Sequence, residues 1–308
     1  MASKLKIFPA PRSKSVANVG KSNGGHVYWV KKTTALDYAT FYDRHFIKYN
    51  NGKSSIYNSL DAAIAACTAS VGDVIYVSEG YTETITAAKS IATAGIAIIG
   101  LGIGLSRPTL TVNAAVDGIS LDAANILFEN FHFAAPATDA ATAMINVTKA
   151  GCSIRDITGI GSGGSENFVD CITIATGADD LTIDGVSFRN TTVAVNSFLS
   201  IEAAVARLTI KNFFAFGDVA TAGIIDGATA TQILLQDVVV GTVGTTKPAA
   251  TLDSNPTGMA VRCSFAGTST TLADNAALGT GLRLFDVKVL EETDGSAQGA
   301  LIPAVDAN

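Results

Sequence analysis

The stretch LTIDGVSF, residues 181–188, returns 27 residues later as LTIKNFFA, residues 208–215. Six further segments share its form: IAIIGLGI from Ile96, ILFENFHF from Ile126, CSIRDITG from Cys152, ILLQDVVV from Ile233, MAVRCSFA from Met259 and LRLFDVKV from Leu282. Successive starts lie 30, 26, 29, 27, 25, 26 and 23 residues apart, the spacing of a stacked repeat array. The first and third positions are apolar in every copy, the third running Ile98, Phe128, Ile154, Ile183, Ile210, Leu235, Val261, Leu284. The fourth is usually polar: Glu129, Arg155, Asp184, Lys211, Gln236, Arg262. The fifth is Gly, Asn or Asp in seven of eight copies, starting from Gly100. These three residue types tolerate the left-handed backbone that turns a chain sharply. The sixth position is apolar again in seven of the eight copies. The pattern predicts two short strands meeting at a one-residue corner, each with one face inward.

Further apolar stretches, AMINV at 143–147, CITIA at 171–175 and FLSI at 198–201, supply a third side to each repeat. Coils of ~25 residues with three short strands, stacked about 4.8 Å apart, make a parallel β-helix, an all-β solenoid. A leucine-rich array would need an asparagine in L-x-x-L-x-L-x-x-N, and a hexapeptide helix a six-residue period; neither occurs. The connectors are Ala, Thr, Gly and Asp without helical periodicity, which excludes a doubly wound α/β fold. Hydrophobic residues are 48% of the 308 and charged residues 16%, enough for a long continuous core.

Ahead of the first copy, Ser59 reads as the N-cap of a short helix with Leu60, Ala63, Ile64 and Cys67 on one face. Gly72-Asp73 then turns the chain into the strand VIYV at 74–77. Such a helix would plug the open end of the core and shield the first strand edge. The residues Leu60 to Ala66, Gly72-Asp73, Gly80, Tyr81 and Glu83 together resemble the opening of pectate-lyase-like right-handed parallel β-helix proteins. The likeness is greatest to the forms found in tailed-bacteriophage virion proteins, and with the repeats it covers roughly residues 54–290. The resemblance implies a right-handed parallel β-helix and a homotrimer.

Residues 1–53 stand outside the repeat. They carry ten Lys/Arg against Asp37 and Asp43, a net of +8, whereas the other 255 residues carry eleven against 25 Asp/Glu, a net of −14. Seven aromatic residues from Tyr28 to Tyr49, including the single tryptophan Trp29, are concentrated here. The expected organisation is an N-terminal arm over 1–53, a β-helix with capping helix over 54–290 and a C-terminal tail over 291–308. Lys4, Lys6, Arg12, Lys14, Lys21, Trp29, Lys31 and Lys32 are the candidate anchoring residues. A basic arm could bind nucleic acid, but an acidic body repels phosphate and no nucleic-acid motif is present. An acidic protein surface is the expected partner.

Signs of chemistry are sparse. Cys67, Cys152, Cys171 and Cys263 form no C-x-x-C pair, and His26, His45 and His132 show no metal-ligand spacing; buried free thiols and no metal or cofactor are expected. No signal peptide opens the chain, and the run AGIAIIGLGIGL at 94–105 is too short to span a membrane. Enzymes on this fold cluster carboxylates over neighbouring coils. The nearest match is the outward column Glu129, Arg155, Asp184, Lys211, where the two acids would lie about 9.6 Å apart, near the separation inverting glycosidases use. Its alternating signs read as an exposed charge ladder. By this reading neither acid has a raised pKa, because Arg155 would lower both. Asp179-Asp180 reads as a turn. Phe128, Phe131, Phe133, Phe188 and Phe213 take inward positions, while His132 and Phe214 point outward, His132 as a solvated surface residue. The expectation is a structural protein without enzymatic activity: a capsid decoration or cement protein assembled in the host cytoplasm. It would sit on the outer face of a phage head, in contact with the major capsid protein or another virion protein. The alternative is a tail spike or fibre that binds, or cleaves, host surface polysaccharide.

Overall fold

A computed structural model of the chain describes residues 25–134, 141–161, 168–190, 195–244, 246–253, 255–268, 272–291 and 298–300. It is nearly all β, a parallel β-solenoid of about nine turns. In chain order, β1 (Val27–Val30) and β2 (Ile56–Tyr57) precede the coils. The first coil holds β3 (Val74–Val77), β4 (Thr82–Ile85) and β5 (Lys89–Ile91). The second holds β6 (Ala97–Gly100), β7 (Thr109–Val112) and β8 (Ile119–Leu121). The third begins with β9 (Leu127–Glu129) and β10 (His132–Ala134). Each coil gives one strand to each of three sheets, which hold eleven, ten and eight strands among the described residues. The described strands of these sheets pair in parallel, except where Gln298–Ala300 runs antiparallel to Lys288–Glu291 at the C-terminal end of the second sheet.

The repeated phrase is the junction of the first and second sheets. Its third position aligns across coils, Phe128 with Ile154, Ile154 with Ile183, Ile183 with Ile210, and all four are fully buried. The sixth position, Phe131, Ile157, Val186, Phe213 and Val238, is buried likewise. Each such side chain contributes roughly 1.5–3 kcal/mol by leaving water. The corner between them is left-handed as expected: φ is 66° at Asn130, 50° at Asp156, 76° at Gly185, 48° at Asn212 and 55° at Asp237. The corner N–H groups donate forward to the next coil, Asn130 to the Arg155 carbonyl (3.0 Å), Asp156 to Asp184 (2.9 Å) and Gly185 to Lys211 (3.1 Å). The sharp turn at these corners therefore keeps the backbone donor paired.

Two copies depart from the expected phase. At Met259 the register sets Leu235 against Ala260 and Gln236 against Val261, so Ala260 points inward and the corner is Arg262, at φ 52°. An arginine holds this conformation with its guanidinium on both oxygens of the preceding corner, Asp237, at 2.7 Å each. In the first copy Gly100 stays in the strand, and the left-handed residue is Gly102 at φ 98°. A short excursion, residues 101–108, follows before the second sheet begins.

A second set of left-handed corners, not anticipated, joins the third sheet to the first: Gly95, Asn125, Gly151, Asp180, Arg207 and Gln232. Asp179-Asp180 is part of it. Asp179 accepts the Ala206 N–H at 2.7 Å, and Asp180 pairs with Arg207 one coil on.

Two helices lie at the entrance, α1 (Tyr38–His45) and α2 (Leu60–Ala66), the second being the expected cap. Ser59 caps α2, its hydroxyl accepting from the Ala62 N–H at 3.3 Å, and Leu60, Ala63 and Ile64 are buried against the core. The expected boundary at residue 53 does not coincide with a break in the structure. β1 lies between β2 and β3 in the first sheet, all four of its residues registered on β3. Residues 27–57 thus add two strands to the stack. The alternation in VYWV explains this: Tyr28 and Val30 are fully buried, and Val27 and Trp29 face out. Gly25 packs so closely on the turn at Gly72 that a Cβ there would lie 2.3 Å from the Gly72 carbonyl oxygen.

Candidate functional site

Three regions could carry function: the root of the basic leader, the charged column on the first sheet, and the outer face of the second sheet. At the leader root, Asp73 is fully buried and accepts the backbone N–H of His26 at 2.6 Å and of Thr68 at 2.7 Å. One carboxylate therefore ties the incoming chain to the loop after α2. Above it, Trp29 packs on Phe41, His45 and Tyr76, with ring centroids 5.4, 4.5 and 5.1 Å away. Lys31 is buried, pairs with Asp37 at 2.8 Å and lies over the Phe41 ring at 4.8 Å. That hydrogen bond holds the Asp37 carboxyl below its usual range. Lys32 sits over the Tyr81 ring at 5.0 Å. Of the eight anchoring candidates, these three are engaged within the chain. Lys4, Lys6, Arg12, Lys14 and Lys21 lie outside the described residues.

The motif Tyr81, Glu83 has a structural explanation. Tyr81 is buried and its hydroxyl donates to Glu83 at 2.6 Å. Lys89, also buried, reaches Glu83 at 2.9 Å and Asp61 of α2 at 2.5 Å. Burial opposes the charge on Lys89, but the two carboxylates outweigh it and hold its pKa above the ordinary lysine range. The network locks the capping helix to the first coil.

The column Glu129, Arg155, Asp184, Lys211 is in register across four strands. One expectation for it is corrected. Burial raises the pKa of Glu129, Asp156 adds to the rise, and Arg155 opposes without prevailing. Oε2 of Glu129 is closed off from solvent without a hydrogen-bond partner. The outward neighbours on the preceding coils, Tyr76 and Ile99, are the reason: they make the start of this face apolar, and Glu129 ends that apolar stretch.

On the second sheet, Phe214 faces outward as expected, with the Arg189 guanidinium 5.2 Å from its ring, and Phe216 follows on the same face and is exposed. The strict alternation of FFAF signals both. His132 is less solvated than expected. Its Nδ1 lies 2.9 Å from the Thr158 hydroxyl, and burial together with Arg107 pushes its pKa down. The third sheet carries hydroxyl and amide pairs on its acids: Ser197 and Asn196 donate to Asp170 at 2.6 and 3.0 Å, and Asn146 donates to Asp117 at 2.9 Å. All four cysteines are free. Burial raises their thiol pKa values, to about 12 at Cys67. Among the described residues no group of three or more His, Cys, Asp or Glu could hold a metal ion, and no helix is long and apolar enough to cross a membrane. Comparison of the sequence with protein-family models and with curated proteins gives no match.

Proposed function

We propose that the chain is a non-catalytic structural protein of a phage particle, a capsid decoration or cement protein held by its N-terminal leader. The observation that carries this reading is the charge division at the leader root. Residues 1–24 hold five Lys/Arg and no acid, leaving 16 Lys/Arg against 27 Asp/Glu in the rest, a net of −11. Just after this basic segment, His26 is fastened to buried Asp73. A cationic tether on an anionic rod suits docking onto an acidic protein shell, where the rod's own charge is held outward. The virion setting and the homotrimer rest on the resemblance of the entrance motif. Bound copies would stabilise the shell by mass action through the buried interface.

The second reading, a spike or fibre that binds host glycan, draws on exposed Phe216 beside Phe214. Both readings are separated by copy number in purified particles and by truncation. A decoration protein is present in hundreds of copies, and removing residues 1–24 abolishes attachment while the body keeps its β signature. A handful of copies per particle, or full attachment without the leader, overturns the proposal.

A further inference from the structure

The excursion at residues 101–108 stands beside the second sheet and walls a groove of about 420 Å³ on its outer face. The floor comes from outward side chains on four successive strands, Thr109, His132, Thr158 and Ser187, and register places them in one column. Arg107 and Arg189 bring the charge. Among the described residues no carboxylate lines the groove, although acids outnumber bases in the chain by 27 to 21.

Arg107 is held in a particular way. Its Nη1 donates to the Asp156 carbonyl at 3.3 Å, whereas its Nε is closed off from solvent without a hydrogen-bond partner. The Nε edge of a guanidinium is one side of the fork that grips a carboxylate with two parallel hydrogen bonds. A donor left in that state is costly, and a turn of the Arg107 side chain that brings its Nε edge into the groove would let an oxyanion pair with it. His132, whose pKa burial and Arg107 push down, adds a hydrogen-bonding group to the floor.

The rim is apolar. Leu105 is fully exposed and Ile160 is 50% exposed, and both line the groove; Ile103, on the same excursion, is 75% exposed. Large aliphatic side chains held in water beside two arginines, over a floor of hydroxyl and imidazole groups, suit a protein contact. They would desolvate the hydroxyls of a sugar without pairing them.

We propose that this groove is a docking site for an acidic peptide segment of a partner protein, a Glu or Asp carboxylate on Arg107 with a neighbouring aliphatic side chain between Leu105 and Ile160. The proposal does not depend on the role proposed above. The test is a titration of the full isotope-labelled chain, following the His132 ring and Ile160 methyl resonances. The probes are Ac-Glu-Leu-NH2, Ac-Gln-Leu-NH2 and glucuronate. The expected result is saturable shifts with the Glu peptide, at a Kd on the order of millimolar or below, and about tenfold weaker binding of the Gln peptide. The Arg107→Lys variant, which keeps the charge and loses the fork, weakens the Glu peptide by a similar factor. Equal binding of the Glu and Gln peptides, or no saturable shift, overturns the proposal on the unmodified chain alone. Glucuronate binding as tightly as the Glu peptide would reassign the groove to acidic saccharide. The same shifts arising from protein concentration alone would reassign it to a second copy of the chain.

Discussion

The entrance of the solenoid and its middle are held together by different chemistry. From Ile126 to Val240 the interior is a set of aligned apolar columns, and each coil repeats the previous one with small changes. The middle also buries the acids Asp170 and Asp226, but the buried lysines among the described residues, Lys31 and Lys89, lie at the entrance, with Asp73 and tyrosines. A coil in the middle has a similar template above and below, so apolar contact and ladder bonds suffice. The first coil has a full coil on one side only, since β1 and β2 extend the first sheet alone. Its other side must be closed by groups that fit once, and charge-assisted hydrogen bonds give that single geometry.

Paired substitutions test this contrast most strongly. Lys89→Met leaves the carboxylate of Glu83, 10% exposed, without its partner, and an unpaired buried charge costs about 3–5 kcal/mol. Adding Glu83→Gln to Lys89→Met restores most of that loss, because no charge is then stranded. Ile183→Ala in the middle costs ~2–5 kcal/mol, and no second substitution restores it. Denaturant midpoints of the four chains decide the matter. If the double variant is as unstable as Lys89→Met alone, the entrance is held by packing like the rest.

A smaller effect belongs to the corners. Asn212→Gly and Asn212→Val both remove the hydrogen bond to Asp184 (2.7 Å), but only valine resists the left-handed backbone at φ 48°. Valine should be less stable than glycine by about 1–2 kcal/mol. Equal thermal midpoints for the two would show that the corner relaxes.

The smallest effect concerns Glu129. Its pKa in the folded chain lies above the unfolded value, so the native state binds the extra proton, and stability falls as pH rises through the folded pKa. Glu129→Gln removes that penalty. It should raise Tm by ~1–3 °C at neutral pH and leave it unchanged below the ordinary glutamate pKa of about 4.3. A pH-independent difference would assign the gain to packing instead.

The columns and corners were legible in the sequence because each is a local rule repeated in most of the eight copies: an apolar residue every second position and a residue tolerant of positive φ between. Where two adjacent residues are both apolar, as at Ala260 and Val261, the rule loses its phase. Only the pairing with Leu235 and Gln236 recovers it. The second corner set follows the same chemistry at Gly95, Asn125 and Gly151, but its other members include Arg207 and Gln232, types that carry no turn signal. The membership of β1 in the first sheet was hidden for another reason. Its partner β3 is 47 residues away in register, and a single four-residue strand has no repeat to announce it. The rise in Glu129 and the groove beside Arg107 both depend on what neighbouring coils place around a side chain, which one coil's sequence does not contain.

The position of β1 also decides how the rod would respond to being pulled. Strand order along the first sheet is β2, β1, β3, so the leader joins a strand clasped on both sides. On one side Trp29 donates to Ser55 and Lys31 to Tyr57; on the other Val74 donates to His26 and Ser78 to Val30. Tension applied through the leader along the strand loads these four bonds together, as shear. A terminal strand peeled sideways from a sheet edge would release them one at a time. The clasp makes the joint strongest in the direction in which a tethered rod is tugged.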